Sequence, residues 1–202
     1  MKIELSSGSA TNLFKAVDAA RAKELTRLAL TGIYWEHSDG VHTFTTTDSF
    51  RLHRVTINEP NTQYPLGVLL SGDIVKAVQN CAKTIGKDGT VKLEVETMGD
   101  YDTHCLVSGI VNDRTMFDAV VDTLSVEYPK LNSIINGATD IELPALFNGK
   151  YLGDLVDAAT LWAGKNNTVT IESVHATKPS RVSSTNYVGV FCGVVMPSRG
   201  GK

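Results

Sequence analysis

The sequence predicts an α+β fold built from a strand–helix–three-strand unit used three times. Three observations carry that prediction. Three stretches have apolar residues at helical spacing, and each follows a short strand-like run. Behind each stripe come runs rich in Thr, Val, Ile and aromatic residues, punctuated by turn residues. The pattern recurs at roughly 60–70 residues, the kind of period expected when each unit buries its apolar face by joining its neighbours.

In the first unit, Met1 to Leu5 alternates as a strand. Ala10 to Lys23 reads as a helix, with Leu13, Val17 and Ala20 on one stripe and Ser9 or Thr11 as its cap. Strands are expected at Leu30–Glu36, Val41–Thr47 and Arg51–Ile57, with Ser38-Asp39-Gly40 as a turn. The second unit opens at Gly67–Ser71. Its helix runs from Asp73 to Ile85, with Ile74, Val78, Cys81 and Ile85 on one face and Gly86 as the stop. Thr90–Thr97, His104–Val111 and Met116–Val121 supply its strands. The third unit reads as a strand at Asp140–Leu143, a helix from about Asn148 to Ala163, and strands near Thr168–Val174, Arg181–Ser184 and Tyr187–Met196. Glu59–Pro65 and Tyr128–Gly137, rich in Pro, Asn and Gly, connect the units.

Bulk properties narrow the function. Of 202 residues, 42% are apolar and 20% charged, ordinary for a soluble globular protein. A net charge of −3 argues against gripping nucleic acid over the whole surface and leaves room for a local basic face. Three cysteines, Cys81, Cys105 and Cys192, without Cys-x-x-Cys spacing fit a reduced cytoplasmic setting. Met1 leads straight into Lys-Ile-Glu-Leu with no apolar signal core, and no apolar run approaches the ~20 residues of a membrane span.

Two strings are the most specific: Thr-Thr-Thr-Asp-Ser-Phe-Arg-Leu-His from Thr45 to His53, and Gly-Val-Val-Met-Pro-Ser-Arg from Gly193 to Arg199. In this order they resemble two landmarks of the bacterial DNA polymerase III β sliding clamp family. Thr47-Asp-Ser-Phe-Arg-Leu52 is similar to the Thr-Asp-Gly-His-Arg-Leu signature of that family's middle domain. Leu28 to Glu36 resembles the strand that opens that domain, and Tyr128 to Ile135 the connector that leaves it. Phe147 to Leu155 and Val194 to Arg199 resemble the end of the last domain. The family's first domain and the first half of its last one have no counterpart, so the resemblance implies a shortened member of the kind a bacteriophage encodes.

The resemblance implies a DNA-clamp fold, helices lining the inside of a ring and antiparallel sheets outside. It divides the chain into a full clamp-like domain (1–127), a connector (128–139) and a half or compressed C-terminal domain (140–202). The implied function is a replication processivity factor that encircles double-stranded DNA and tethers polymerase and clamp-loader peptides, acting in the cytoplasm. The family's peptide cleft, carried over by residue, is Leu30, Thr47, Phe50, Arg51 and Leu52, with Ile134 or Ile135 from the connector and Val194 and Met196 from the last strand. Aliphatic and Met side chains make an adaptable apolar trough, in which a few polar groups fix the ligand. Taken alone, Val194 and Met196 would be ordinary strand core. Phe50 stands where the family has His and Asn136 where it has Pro, which implies different peptide preferences.

Lys76, Asn80, Lys83 and Lys87 share one helix face opposite the apolar stripe. Lys15, Lys23 and Arg27 form a weaker set on the first helix, with Asp18 opposing them. Spaced lysines usually mean a solvated face; in a clamp they would meet phosphates without reading sequence. On the third helix Asp154 and Asp157 accompany Lys150, so its inward face is not clearly basic.

No catalytic site is expected, and no cofactor or metal. Asp102-Thr-His-Cys105 puts His104 and Cys105 on opposite faces of a strand. Gly164-Lys-Asn-Asn-Thr168 lacks phosphate-loop spacing. The competing reading is a clamp-like structural or regulatory oligomer that does not encircle DNA. Known clamp rings hold twelve units, as two chains of six or three of four. A chain of three units implies a homo-oligomeric ring of four chains, with a trimer of two compressed domains as the alternative.

Overall fold

In the computed structural model, residues 1–59, 66–98, 102–136, 146–164, 168–172 and 177–198 are described. The expected strand at Asp140–Leu143, the end of the Thr168–Val174 strand and most of the Glu59–Pro65 connector lie outside these residues.

Strand β1 (Lys2–Ser6) leads directly into helix α1 (Ser7–Asp18). The helix starts earlier and ends earlier than its apolar stripe indicates. Several Ser and Thr compete for the cap, and Ser6 takes it, its hydroxyl accepting from the Ser9 N–H at 3.2 Å. After the helix, the Asp18 carboxylate holds Arg21 at 2.6 Å and Lys23 at 3.1 Å. Arg21 in turn donates to the Thr31 carbonyl at 2.9 Å. The strand expected from Leu30 is instead the end of a 3-10 segment, Leu25–Thr31. The Thr31 hydroxyl closes it by donating to the Leu28 carbonyl at 2.8 Å, and β2 (Ile33–Ser38) begins only after Gly32.

Strands β3 (Val41–Thr47), β4 (Arg51–Asn58) and β5 (Leu66–Leu70) precede α2 (Ile74–Ile85). Gly86 ends α2 at φ 71° and donates to the Ala82 carbonyl. Strands β6 (Thr90–Met98), β7 (Asp102–Val111) and β8 (Arg114–Asp122) complete the second unit. A short helix α3 (Asn132–Asn136), absent from the sequence-based expectation, sits in the connector. Helix α4 (Gly149–Ala163) follows, capped by the Asn148 side chain, then β9 (Thr170–Glu172), β10 (Ser180–Thr185) and β11 (Gly189–Val195).

The strands form two antiparallel sheets, in orders β1-β6-β7-β8 and β5-β2-β3-β4-β11-β10-β9. The lead strand of each of the first two units crosses to the other's sheet: β1 pairs with β6 and β5 with β2. The third unit extends the second sheet through β11 on β4, with Val194 opposite Leu52. The boundary expected between the full and the half domain is therefore spanned by a continuous sheet.

α1, α2 and α4 pack on the sheets, and α1 touches both other helices. Phe44 stacks on Trp35 and takes the edge of Phe14 at the centre of one core that also takes in Leu155, Trp162 and Phe191 of the third unit. The connector crosses the opposite face. There Tyr128 stacks on Tyr34 at 4.9 Å and donates to the Thr45 carbonyl at 3.3 Å. A second, smaller core lies beneath it.

Candidate functional site

The turn from Thr47 to Arg51 is held by its own polar side chains. The Asp48 carboxylate accepts from the N–H groups of Phe50 (3.0 Å) and Arg51 (3.1 Å) and from the Arg51 guanidinium (3.0 Å). Thr47 donates to the Arg51 carbonyl at 2.7 Å and accepts from the Ser49 N–H at 3.1 Å. Such side-chain-to-backbone bonds are why Thr and Asp suit turns. They let Ser49 hold φ 80°, a left-handed conformation costly for a residue with a Cβ.

The turn is also tied to the third unit. Arg51 donates to the Asp154 carboxylate of α4 and lies 5.0 Å from the centre of the Tyr151 ring. Burial works against the Arg51 charge, but the bonds to Asp154 and Asp48 outweigh it, and its pKa is raised. Asp154, which from sequence spoils a basic face on α4, is thus neutralised from the sheet side. The Met196 N–H donates to the Phe50 carbonyl at 3.2 Å, fixing the end of β11 against the same turn.

Between these parts lies a cleft of about 490 Å³. Leu30, Thr47, Phe50, Arg51, Leu52, Ile134, Val194 and Met196 all line it. Its floor is buried, with Val194 and Leu52 2% and 3% exposed, while Phe50 (58%), Met196 (41%) and Ile134 (40%) form an open apolar rim. Ile135 does not line it. Successive residues on a helix point about a third of a turn apart, so on α3 one isoleucine faces the cleft and Ile135 packs with Leu131 and Tyr128 in the smaller core. Sequence reading missed Arg27, Ala29, Ser49, Pro129 and Leu131, which complete the lining. Ala29, Ser49, Pro129 and Leu131 lie within the strings singled out from the sequence, and only Arg27 is brought in from outside them. Next to the cleft, sharing Pro129 and Leu131, a more polar cavity of about 830 Å³ lies between connector and sheet.

The basic residues divide. Lys15, Lys83 and Lys87 converge on a shallow groove of about 690 Å³ between the start of α1 and the end of α2, with Ser7, Asn12 and Gln79. All three lysines are exposed. Lys76 sits a turn or more away beside Asp73 at 3.7 Å. Lys23 lies past the end of α1 and is held by Asp18. Arg27, grouped from sequence with the first helix, stands on the 3-10 segment at the cleft rim and donates to the Ser49 hydroxyl at 2.7 Å.

Among the described residues no group of three His, Cys, Asp or Glu could hold a metal ion. The three cysteines are buried; burial pushes the thiol pKa up to about 11 at Cys81 and about 12 at Cys105, which keeps them poor nucleophiles. Of the three buried histidines, His37, His42 and His53, burial holds the last two neutral. His53 on β4 bonds the Ala16 carbonyl of α1 through Nδ1 at 2.7 Å. His42 accepts from the Trp35 indole at 3.1 Å. No described helix is long and apolar enough to cross a membrane.

With swapped lead strands, two-sheet units and the cleft at the β4–β11 junction, the architecture is the DNA-clamp fold. Its solved counterparts include the β subunit of DNA polymerase III from Thermotoga maritima, with TM-score 0.71 and 18% identity over the whole of this chain and 66% of the other. The DNA polymerase sliding clamp of Pseudomonas aeruginosa matches with TM-score 0.73 and 14% identity, covering 99% of this chain and 67% of that one. The β chain of DNA polymerase III from Streptococcus pneumoniae gives 0.71 and 14%, with 99% and 65% covered. The chain thus spans about two thirds of the length of these structural relatives. No protein-family model matches the sequence, and no curated protein matches it.

Proposed function

We propose that the chain is a DNA sliding clamp, a processivity factor whose ring encircles duplex DNA and whose cleft tethers polymerase and clamp-loader peptides. The observation that carries this reading is the convergence of the Thr47–Leu52 turn and the Val194–Met196 strand end on one apolar cleft in a chain with the clamp fold. A buried floor with an open aliphatic and aromatic rim suits the anchoring side chains of a short linear peptide. The groove of Lys15, Lys83 and Lys87 supplies mobile positive charge with no base-reading geometry, which suits sliding.

The ring is a tetramer. Three units per chain reach the twelve of other clamp rings with four copies. The half domain that contains α4 and β9–β11 completes itself against the same half of a second chain, an isologous contact that generates dihedral symmetry. Light scattering should give about 87 kDa, four times 21.8 kDa. About three chain masses would replace the tetramer by the trimer.

The decisive experiment is retention on DNA. The ring, loaded on a nicked circular plasmid, should stay bound through gel filtration at moderate salt and leave within minutes of linearisation. Equal retention on circular and linear DNA would make the protein a surface binder or a clamp-like oligomer that does not encircle DNA.

A further inference from the structure

Strands β4 and β8 hold equivalent places, each the last of its unit and each farthest from the swapped lead strand of its sheet. The edge of β4 is taken by β11 through seven residue pairs, from Arg51↔Val195 to Ile57↔Gly189. The edge of β8 has no partner strand among the described residues. Its limits are defined. At its start lies the turn Asn112–Asp113, both residues with positive φ. At its end the Ser71 N–H donates to the Asp122 carbonyl at 3.0 Å, and Leu70 bridges Thr123. Thr115 to Val121 remains free, a stretch as long as the covered part of β4, with Asp118 at its centre.

The side chains along this edge are arranged for a second β8. The outward-facing Asp122 carbonyl means that Asp118 and Val120, at even spacing from it, also turn their peptide groups outward, while Met116 is the extra residue of a bulge opposite Gly109 and Ile110. When two such strands run antiparallel about Asp118, Met116 meets Val120 of the other copy and Phe117 meets Ala119. Met116 and Val120 are 57% and 63% exposed in the single chain, an apolar edge of the kind proteins normally cover. Within the free stretch, exposed Met116 and Val120 flank Asp118 symmetrically, an arrangement self-complementary in apolarity at every position but the central one.

We propose that β8 is a docking edge for β8 of a second copy of this chain, joined antiparallel across a twofold axis at Asp118. The inference rests on the ring reading above and supplies the second of the two isologous contacts that a dihedral tetramer needs. Asp118 against Asp118 is the one repulsive pair, and it holds the joint weaker than its apolar pairs alone would make it.

The test is a self-crosslink. Cys81, Cys105 and Cys192 are buried, so in an Asp118→Cys variant residue 118 carries the accessible thiol. Residue 118 meets itself only at a twofold joint. Mild oxidation with copper–phenanthroline should convert most of the assembled variant to a disulfide-linked pair on a non-reducing gel. Val120→Lys should halve the assembly to about 44 kDa, two chains of 21.8 kDa joined through the third unit. Asp118→Asn, which leaves surface and fold alone, should lower the half-dissociation concentration by roughly twofold to fivefold. An assembly of full mass in which Asp118→Cys stays unlinked and Val120→Lys changes nothing overturns the β8 joint and leaves the ring standing. A monomeric wild-type protein at high concentration overturns the ring reading itself.

Discussion

The cleft draws its lining from segments as far apart as Leu30 and Met196, whereas the basic groove draws Lys15, Lys83 and Lys87 from two helices packed directly on each other. Cleft side chains are positioned by a network: Asp48, Arg51 and Asp154 fix the turn, and β11 pairs register by register with β4. The groove lysines end in solvent. A ligand in the cleft is held by a few fixed contacts, each of which matters. A polyanion at the groove is held by the sum of weak, screened ones. The two regions meet where His53, on the cleft strand β4, bonds the Ala16 carbonyl of α1, a wall of the groove, and Thr46, beside Thr47, donates to its Val17 carbonyl.

That junction gives the largest expected effect, and it tests whether cleft and groove share one cooperative unit. Burial lowers the pKa of His53 and of His42 from the ordinary 6.5 to about 4. Between those values the unfolded chain binds protons that the folded chain refuses. Stability is therefore whole above about pH 6.5 and falls as pH drops toward 4, by on the order of 3 kcal/mol for His53 and by less for His42, whose Nε2 lies 3.3 Å from the Glu59 carboxylate that would hold its proton. Urea melts at pH 7.5 and 4.5, followed by tryptophan fluorescence, should show this loss as a single transition. A pH-independent midpoint would mean that neither histidine is buried as neutral imidazole.

Within the cleft, contact and scaffolding can be separated. Leu52 is core as well as lining, so truncating it threatens the fold. Phe50 and Met196 are rim residues. Phe50→Ala with Met196→Ala should weaken a polymerase-tail peptide by more than about 2 kcal/mol, the usual consequence of losing interface anchors. Calorimetry that finds unchanged affinity in the folded double variant would remove the cleft as the peptide site.

Arg51 should behave differently from the rim. Its guanidinium is occupied by Asp48 and Asp154, so its part in binding is to hold the turn. Arg51→Met should cost about 2 kcal/mol of stability, because two carboxylates lose charge-assisted hydrogen bonds. Adding Asp154→Leu should return part of it by removing one orphaned charge. Peptide affinity should follow the stability in this pair of variants; an affinity that stays low after stability recovers would make Arg51 a direct contact.

What could be read from sequence follows the range of the interactions. α2 and α4 were legible nearly to the residue, because composition and a terminal glycine agree within each segment: Gly86 and Gly164 both hold positive φ where those helices end. The start of α1 was not, since Ser6, Ser9 and Thr11 are near-equivalent caps and only the packing of Ser7, Ser9 and Ala10 chooses. The stretch from Leu28 to Thr31 has strand composition, but a side-chain hydrogen bond turns it into a 3-10 segment. Most of the cleft was legible through its motifs, which lie within short strings. The swapped strands, the β4–β11 register and the position of Arg27 depend on residues that meet in space while far apart in the chain, which periodicity does not encode. Ile134 and Ile135 were separable only once the connector was known to be helical there.

The smallest effect on the folded protein is expected at the groove, and it sharpens the contrast with the cleft. Lys15→Glu, Lys83→Glu and Lys87→Glu together should move the urea midpoint by little, since exposed substitutions stay within about 0.5 kcal/mol each. Peptide affinity should not change at all. DNA retention should fall, and the dependence of binding on salt should become shallower, because every phosphate that a lysine no longer neutralises takes about 0.9 off the slope of log affinity against log salt. Lys76→Glu is the internal control. It shares the face of α2 with Lys83 and Lys87, but it lies beside Asp73 and outside the groove, so its effect on the slope should be smaller than that of Lys83→Glu. Equal slopes for the two single variants would show that DNA meets the whole helix face and not the groove between α1 and α2.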